Sequence, residues 1–140
     1  MQINKLQFAT VSCYIITILM FFLYGCISDP KISELEDSLR LYERAMRWSS
    51  FQTIPNYRST EKANEVLALD KLKSIKVTGY TTQQLLISDT GIEANQIVEI
   101  RYYDENVARE KVVTDKQKWI YDGELDHWVL VSELPAFFYP

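Results

Sequence analysis

The chain has 140 residues, of which 47% are hydrophobic, 24% charged and 13% aromatic, and its formal net charge is −4. This length supports one small domain, and the plentiful aliphatic and aromatic residues argue against disorder. The acidic balance excludes a basic footprint for nucleic acid. One histidine and two cysteines leave too few soft ligands for a structural zinc site. We therefore expect an acidic globular domain that binds neither nucleic acid nor metal.

The first 25 residues differ from the rest of the chain. Lys5 is the only charged side chain before an apolar run over residues 8–23, which is the layout of a secretory signal peptide. The order Leu23, Tyr24, Gly25, Cys26 follows and resembles the bacterial lipobox, with Tyr24 standing where small or aliphatic residues are commoner. The resemblance implies that Cys26 is lipidated: its sulfur receives a diacylglycerol, the bond after Gly25 is cut and the new amino terminus is acylated. Residues 26–32 then form the acylated start and a polar tether.

The same segment also fits a second topology. Residues 8–27 make a run of about 20 uncharged residues, enough for a helix to span a bilayer core. An uncleaved helix in the inner membrane is therefore the alternative, although no Lys/Arg cluster follows it. Because Ile27 rather than Asp follows Cys26, the resemblance to lipoprotein sorting signals implies an outer-membrane protein facing the periplasm. In both topologies the domain is exported to the cell envelope.

Helical periodicity begins after Pro30. Ser33 and Glu36 form a capping box, and Pro55 disfavours helix at the residue before it, so we predict a helix over residues 33–53. A shorter helix is predicted over residues 60–72, with Ala63, Val66, Leu67 and Leu69 on its buried side. The apolar stripe of the long helix comprises Leu35, Leu39, Tyr42 and Met46, with a second row of Leu41, Ala45 and Trp48.

From Lys73 onward, apolar residues alternate with polar ones, which is typical of strands. Four strands are predicted at about 73–87, 94–103, 107–121 and 127–131, with a bulge near Gly79. Their short connections require antiparallel pairing, because parallel strands need long crossovers. The predicted fold class is therefore α+β, with a long helix and a short second helix packed on a four-stranded antiparallel meander over residues 33–138.

The strand sequences carry a resemblance. The order Gln117-x-Trp119-x-Tyr121, then Trp128-x-Leu130, then Leu134-Pro135 resembles small uncharacterised Gram-negative lipoproteins with a helix and meander domain. A long helix followed by long curved strands is also similar to cystatin-like and NTF2-like folds. The matching pattern is one of packing and turns, so it implies a fold and an envelope location rather than an activity.

No catalytic set is evident in the sequence. His127 and Asp126 are adjacent, and neighbours in a strand point to opposite faces, so the pair cannot form the orienting hydrogen bond of a triad. Carboxylate pairs fall at predicted hairpin tips, which do not supply the burial that raises the pKa of a general acid. We therefore expect no enzyme activity and no cofactor other than the covalent lipid on Cys26.

Aromatic side chains are the remaining functional candidates. Most must fill the core, but Tyr and Trp are also frequent interface anchors. Three aromatics at a chain terminus are expected to dock either on their own sheet or on another chain. The candidate partner or pocket surface comprises Trp119, Tyr121, Trp128, Phe137, Phe138 and Tyr139.

Two classes of function remain open. The first is a membrane-anchored envelope lipoprotein without enzyme activity, which offers its domain to another envelope protein, to a second copy of itself or to a secretion or efflux assembly. The second is an NTF2-like pocket that binds or transforms a small ligand. Its inward-pointing residues would be Tyr42, Tyr102, Asp115 and Gln117, and a buried Asp115 with a raised pKa in a closed cavity would support it.

Overall fold

The computed structural model describes residues 29–63, 69–107 and 109–139. Its longest helix, α1, spans Pro30–Arg47 and begins three residues before the predicted start. Asp29 is the N-cap, because its side chain accepts a hydrogen bond from the Lys31 backbone N–H at 2.9 Å. Pro30 occupies the first helical position, where its missing N–H costs nothing. The predicted cap at Ser33 is therefore wrong, and residues 30–32, predicted as tether, are helical.

The end of α1 also differs from the prediction. The Ser49 N–H donates to the Met46 carbonyl at 3.1 Å and the Ser50 N–H to the Ala45 carbonyl at 2.8 Å. This is a Schellman motif, and it requires a left-handed residue, which is Ser49 with φ of 52°. The helix therefore stops six residues before the predicted end. A 3₁₀ helix, Phe51–Tyr57, follows and buries Phe51 and Ile54.

The second predicted helix is described only at its two ends. α2 spans Thr60–Ala63 and α3 spans Leu69–Leu72. Leu72 is buried, whereas Leu69, predicted to be buried, is exposed. The predicted core positions Val66 and Leu67 lie outside the described residues.

The meander prediction is confirmed. Strands β1 (Ile75–Ile87), β2 (Glu93–Asp104), β3 (Arg109–Asp122) and β4 (His127–Leu130) form one sheet in the order β1-β2-β3-β4. All three neighbouring pairs are antiparallel. The register of β1 shifts at the predicted bulge before Gly79 and again between Thr82 and Gln84. The fold class is α+β, as predicted.

Helix α1 and the 3₁₀ helix lie against one face of the sheet, here called the inner face. The inner residues of β3 are Val113, Asp115, Gln117, Trp119 and Tyr121, which alternate as predicted with exposed or half-buried residues. The core contains all four residues of the first predicted row and Ala45 of the second row, together with inner-face aliphatic and aromatic residues. Its largest fully buried side chains include Trp119, Trp128, Tyr42, Phe138, Leu35, Met46 and Ile54.

The domain has two distinct ends. At the Asp29 end, the start of α1 meets the β1–β2 turn and β4: Trp128 Nε1 donates to the Lys31 carbonyl at 2.8 Å. At the Trp48 end, the close of α1 meets the start of β1: Ser49 Oγ donates to the Ile75 carbonyl at 3.1 Å. With a rise of about 1.5 Å per residue, the 18-residue helix separates these ends by about 27 Å.

Candidate functional site

A polar cluster lies inside the domain, on the inner face of β3. Gln117 is its centre: Nε2 donates to Asp115 Oδ2 at 2.7 Å and to Tyr80 Oη at 3.0 Å. Its Oε1 accepts a hydrogen bond from Trp119 Nε1 at 3.1 Å. Since the indole N–H is a donor only, this bond fixes the orientation of the Gln117 amide. Tyr42 on α1 packs edge-on against Trp119, with ring centroids 5.5 Å apart.

Burial controls the electrostatics of this cluster. Asp115 is 3% exposed, and desolvation raises the pKa of its carboxyl to about 6, against a smaller lowering by the Gln117 hydrogen bond. Desolvation also raises the pKa of Tyr80 and, together with the nearby Asp115 charge, that of Tyr42. Asp115 therefore changes its protonation state near pH 6, while Tyr42 and Tyr80 stay protonated there.

The chemistry open to this arrangement is narrow. A carboxyl with a pKa near 6 can act as a general acid or base, but such a group needs a substrate within hydrogen-bond reach. The three surface grooves described around the domain are lined by other residues. His127 does not join Asp115: its ring contacts the Leu125 carbonyl, and the neighbouring Asp126 accepts a hydrogen bond from Tyr121. These side chains make no triad.

The six aromatic residues proposed as a partner or pocket surface separate into two groups. Trp119, Trp128 and Phe138 are buried in the core, so they are not available to touch a partner protein. Tyr121, Phe137 and Tyr139 are half-buried at its edge. Their burial has a simple cause: one helix laid on a four-stranded sheet leaves a wide space that only large side chains fill.

The aromatic tail docks on its own domain. Residues Ala136–Phe138 form a short 3₁₀ helix, and Phe138 packs edge-on against Phe51 with centroids 5.2 Å apart. The ring of Phe137 packs against the ring of Tyr102, with centroids 4.7 Å apart. The Tyr139 hydroxyl donates a hydrogen bond to the Glu133 carboxylate at 3.0 Å, which ties the tail to the preceding residues. The sequence left two docking sites open for this tail, its own sheet and another chain. In the structure the tail docks on its own domain.

A different aromatic residue is exposed. Trp48, predicted on the buried second row, is 78% exposed, and Leu41 of the same row is 42% exposed. Only Ala45 of that row is buried, because the sheet covers the Leu35–Met46 row and the second row turns to solvent. The signal that the sequence offers is the run of arginines around Trp48, since charged neighbours at helical spacing mark a solvated face.

Trp48 separates two open grooves. One groove, of about 440 Å³, lies between α1 and β1 and is lined in part by Arg40, Arg44 and Val77. The other, of about 450 Å³, lies between α1 and the 3₁₀ helix and is lined in part by Leu41 and Tyr57. Both volumes fall within the range of protein binding sites. Trp48 is therefore an exposed indole with concave surface on both sides.

The charges around Trp48 are basic in an acidic chain. Arg40 pairs with Asp37 at 2.7 Å and Arg47 with Glu43 at 3.4 Å, both on the exposed face of α1. Among residues 29–63, 69–107 and 109–139, Arg44 has no ion-pair partner, and it lines both grooves. A guanidinium beside an indole suits a surface that presents carboxylates around an apolar pocket.

The predicted lipidation residues Leu23, Tyr24, Gly25 and Cys26 lie outside the described residues. Within the part of the chain that the structure describes, no helix is long and apolar enough to cross a membrane. In that same part, no group of three or more His, Cys, Asp or Glu side chains is arranged to hold a metal ion.

No protein-family model, no curated protein and no solved structure matches this chain.

Proposed function

We propose that this protein is a membrane-anchored envelope lipoprotein whose domain binds another protein and carries out no chemistry. The sequence around Cys26 supports the anchor, and the exposed indole of Trp48 supports the binding role. Trp48 is the single observation on which the binding role depends, because Trp is enriched among the residues that contribute most of the binding energy at protein interfaces.

The position of Trp48 suits it to this role. The Schellman motif fixes the end of α1, so the indole is presented from a defined backbone rather than from a mobile loop. It stands about 27 Å, the length of α1, from Asp29, where the chain enters the domain. A domain held at Asp29 can therefore present Trp48 away from the bilayer.

The surroundings of Trp48 define the chemistry of the partner. The two flanking grooves and the exposed Leu41 favour an apolar contact at the centre. Arg44, which has no ion-pair partner among the described residues, favours an acidic side chain at the rim of the partner surface. We therefore expect a protein partner with an apolar pocket bordered by carboxylates.

Metabolic labelling tests the anchor. Cells expressing the chain would be grown with labelled palmitate, with the Cys26→Ala variant as the control. We expect label on the wild-type protein and none on the variant. Equal labelling of the two chains, or no label on either, would exclude lipidation at Cys26.

A comparative pull-down after crosslinking in intact envelopes tests the binding role. Trp48→Ala removes the indole, whereas Val112→Ala removes a side chain that is 60% exposed and lines none of the grooves. We expect Trp48→Ala to lower recovery of the partner by at least about tenfold, the effect of losing one hot-spot residue, and Val112→Ala to leave it unchanged. Equal recovery with both variants, or no partner with any chain, would refute the role of Trp48.

The buried cluster around Asp115 favours a second candidate function, a small-ligand pocket. Asp115 is buried and has a raised pKa, and the hydroxyl of Tyr42 is buried with no hydrogen-bond partner among the described residues. Native mass spectrometry of protein purified from membranes tests it: a bound small molecule would add mass to the wild-type chain and less to Asp115→Asn. A wild-type mass equal to that of the lipidated chain alone would argue against a pocket.

A further inference from the structure

The Asp29 end of the domain carries an apolar surface of its own. Leu85, Leu86 and Ile87 are the last residues of β1, Ile92 lies in the turn that follows, and Leu125 lies in the β3–β4 turn. All five are exposed: Leu86 by 56% and Leu125 by 51%, the others by smaller fractions. We call these five residues the hairpin patch.

The meander places these residues at one end of the sheet, where Leu85 and Ile87 lie on the inner face of β1 and Leu86 on the other face. In an antiparallel meander, alternate turns lie at the same end of the sheet. The pairing of Glu93 with Ile120 places the β1–β2 and β3–β4 turns at one end. The backbone of Tyr121 also donates to the Ile92 carbonyl at 2.9 Å. The β2–β3 turn, with the exposed Val107, lies at the opposite end.

The chain enters the domain at this same end. A Cβ added at Gly91, in the β1–β2 turn, would lie 3.8 Å from Asp29 Oδ2. Cys26 precedes Asp29 by three residues, which span at most about 11 Å. The uncharged run over residues 8–27 ends two residues before Asp29. Whether the membrane holds Cys26 through its lipid or holds residues 8–27 as a helix, the Asp29 end lies within about 11 Å of the attachment point.

We infer that the hairpin patch contacts the lipid surface and sets the orientation of the domain on the membrane. This inference rests on the proposed membrane attachment and adds a contact to it. Isoleucine and leucine side chains at this height enter the boundary between headgroups and acyl chains, where apolar burial favours them. Trp48 then faces away from the bilayer.

The charges at this end determine which lipids suit the contact. Asp29, Asp89, Glu124 and Asp126 lie at this end of the domain, together with Lys31 at the start of α1. These carboxylates are repelled by anionic headgroups, so the contact is apolar and is strongest on zwitterionic lipid. It differs in this respect from the polybasic contacts of many peripheral proteins.

Photocrosslinking of the full membrane-bound chain tests the inference. A benzophenone side chain would replace Leu86, Leu125 or, as the matched control, Val107, which is 58% exposed at the other end. The chains would be reconstituted in phosphatidylcholine vesicles, floated and irradiated. We expect lipid adducts at Leu86 and Leu125 to exceed those at Val107 by about tenfold, because only the first two reach the acyl region. We expect fewer adducts when phosphatidylglycerol is added.

The two proposals fail differently in this experiment. A chain that does not float refutes the membrane attachment, and the hairpin contact falls with it. A chain that floats but labels lipid equally at Leu86 and Val107 refutes the hairpin contact alone. Crosslinks from Leu86 to residues 1–28 or to a second copy of the chain, in place of lipid, would overturn it as well.

Discussion

The fold buries the carboxyl group of Asp115. None of the side chains hydrogen-bonded in its described cluster carries a positive charge. Two polar groups of this cluster are neutral: Gln117, which donates a hydrogen bond to Asp115, and Tyr80, which accepts one from the same amide. Burial of a carboxyl among neutral groups disfavours its charged form, which raises the pKa to about 6. The cost of this arrangement depends on pH, so Asp115 couples the stability of the domain to pH.

Asp115→Asn should remove this dependence. The pKa of Asp115 is higher in the folded chain than the usual unfolded value of about 3.9, because burial favours the protonated carboxyl. The stability that protonated Asp115 contributes to the fold is therefore fully present below about pH 4 and is lost as pH rises through about 6. That loss amounts to about 3 kcal/mol. Urea unfolding of both chains from pH 4 to pH 8 should show the variant gaining that much relative to wild type.

The comparison of the two chains also isolates Asp115 from other carboxyls. Hydrogen bonds lower the pKa of Asp104 and of Glu133, so these groups act in the opposite direction. They are present in both chains and cancel in the difference. A difference that stays constant from pH 4 to pH 8 would show that Asp115 keeps an ordinary pKa.

At the scale of elements, substitutions at the start of α1 test how the helix is capped. Asp29→Ala removes the side chain that accepts the Lys31 N–H and should lower the free energy of unfolding by about 1 kcal/mol. Ser33→Ala, at the cap predicted from sequence, should be neutral because Ser33 is an exposed residue inside the helix. Chemical denaturation of both variants measures the two costs. A larger loss from Ser33→Ala would place the cap at the predicted residue.

The docking of the tail gives a second prediction at this scale. Phe138→Ala leaves a cavity against Phe51 and should cost about 3–5 kcal/mol. Phe137→Ala should cost less, because the Phe137 side chain is only partly buried. Thermal and urea unfolding of the two variants would measure these costs. Equal costs would mean that the tail is not seated with Phe138 in the core.

At the scale of the whole molecule, packing rather than charge holds the domain together. The core joins α1, the 3₁₀ helix, all four strands and the tail. Ion pairs such as Lys73–Asp70 and Lys118–Glu93 lie at the surface. Exposed pairs of this kind contribute little to stability, because water and salt screen them.

The stability of the protein should therefore respond weakly to salt. Raising sodium chloride from about 0.1 M to about 1 M should change the free energy of unfolding by less than about 1 kcal/mol, since the Debye length falls well below most charge separations. Urea titrations at both salt concentrations would measure the change. A loss of several kcal/mol in high salt would show that ion pairs hold the fold.

The sequence alone determined the fold class and most of the strand faces. Alternation along β3 placed Asp115, Gln117 and Trp119 on one face, because a strand has a side-chain period of two whatever it packs against. The same logic placed the Leu35–Met46 row of α1 against the sheet. Turn residues between the strands then required antiparallel pairing. These features follow from local geometry, which is why they were predictable.

Only the tertiary structure decided where α1 begins and ends and which aromatic residues meet solvent. The helix stops at a Schellman motif built on Ser49, a residue that gives little sign of the left-handed conformation it adopts. Trp48 and Trp119 look alike in sequence, yet one is exposed and the other fully buried. The width of the sheet and the angle of the helix on it determine how much of an apolar stripe is covered. Those quantities arise from contacts between residues far apart in the chain, and no local pattern contains them.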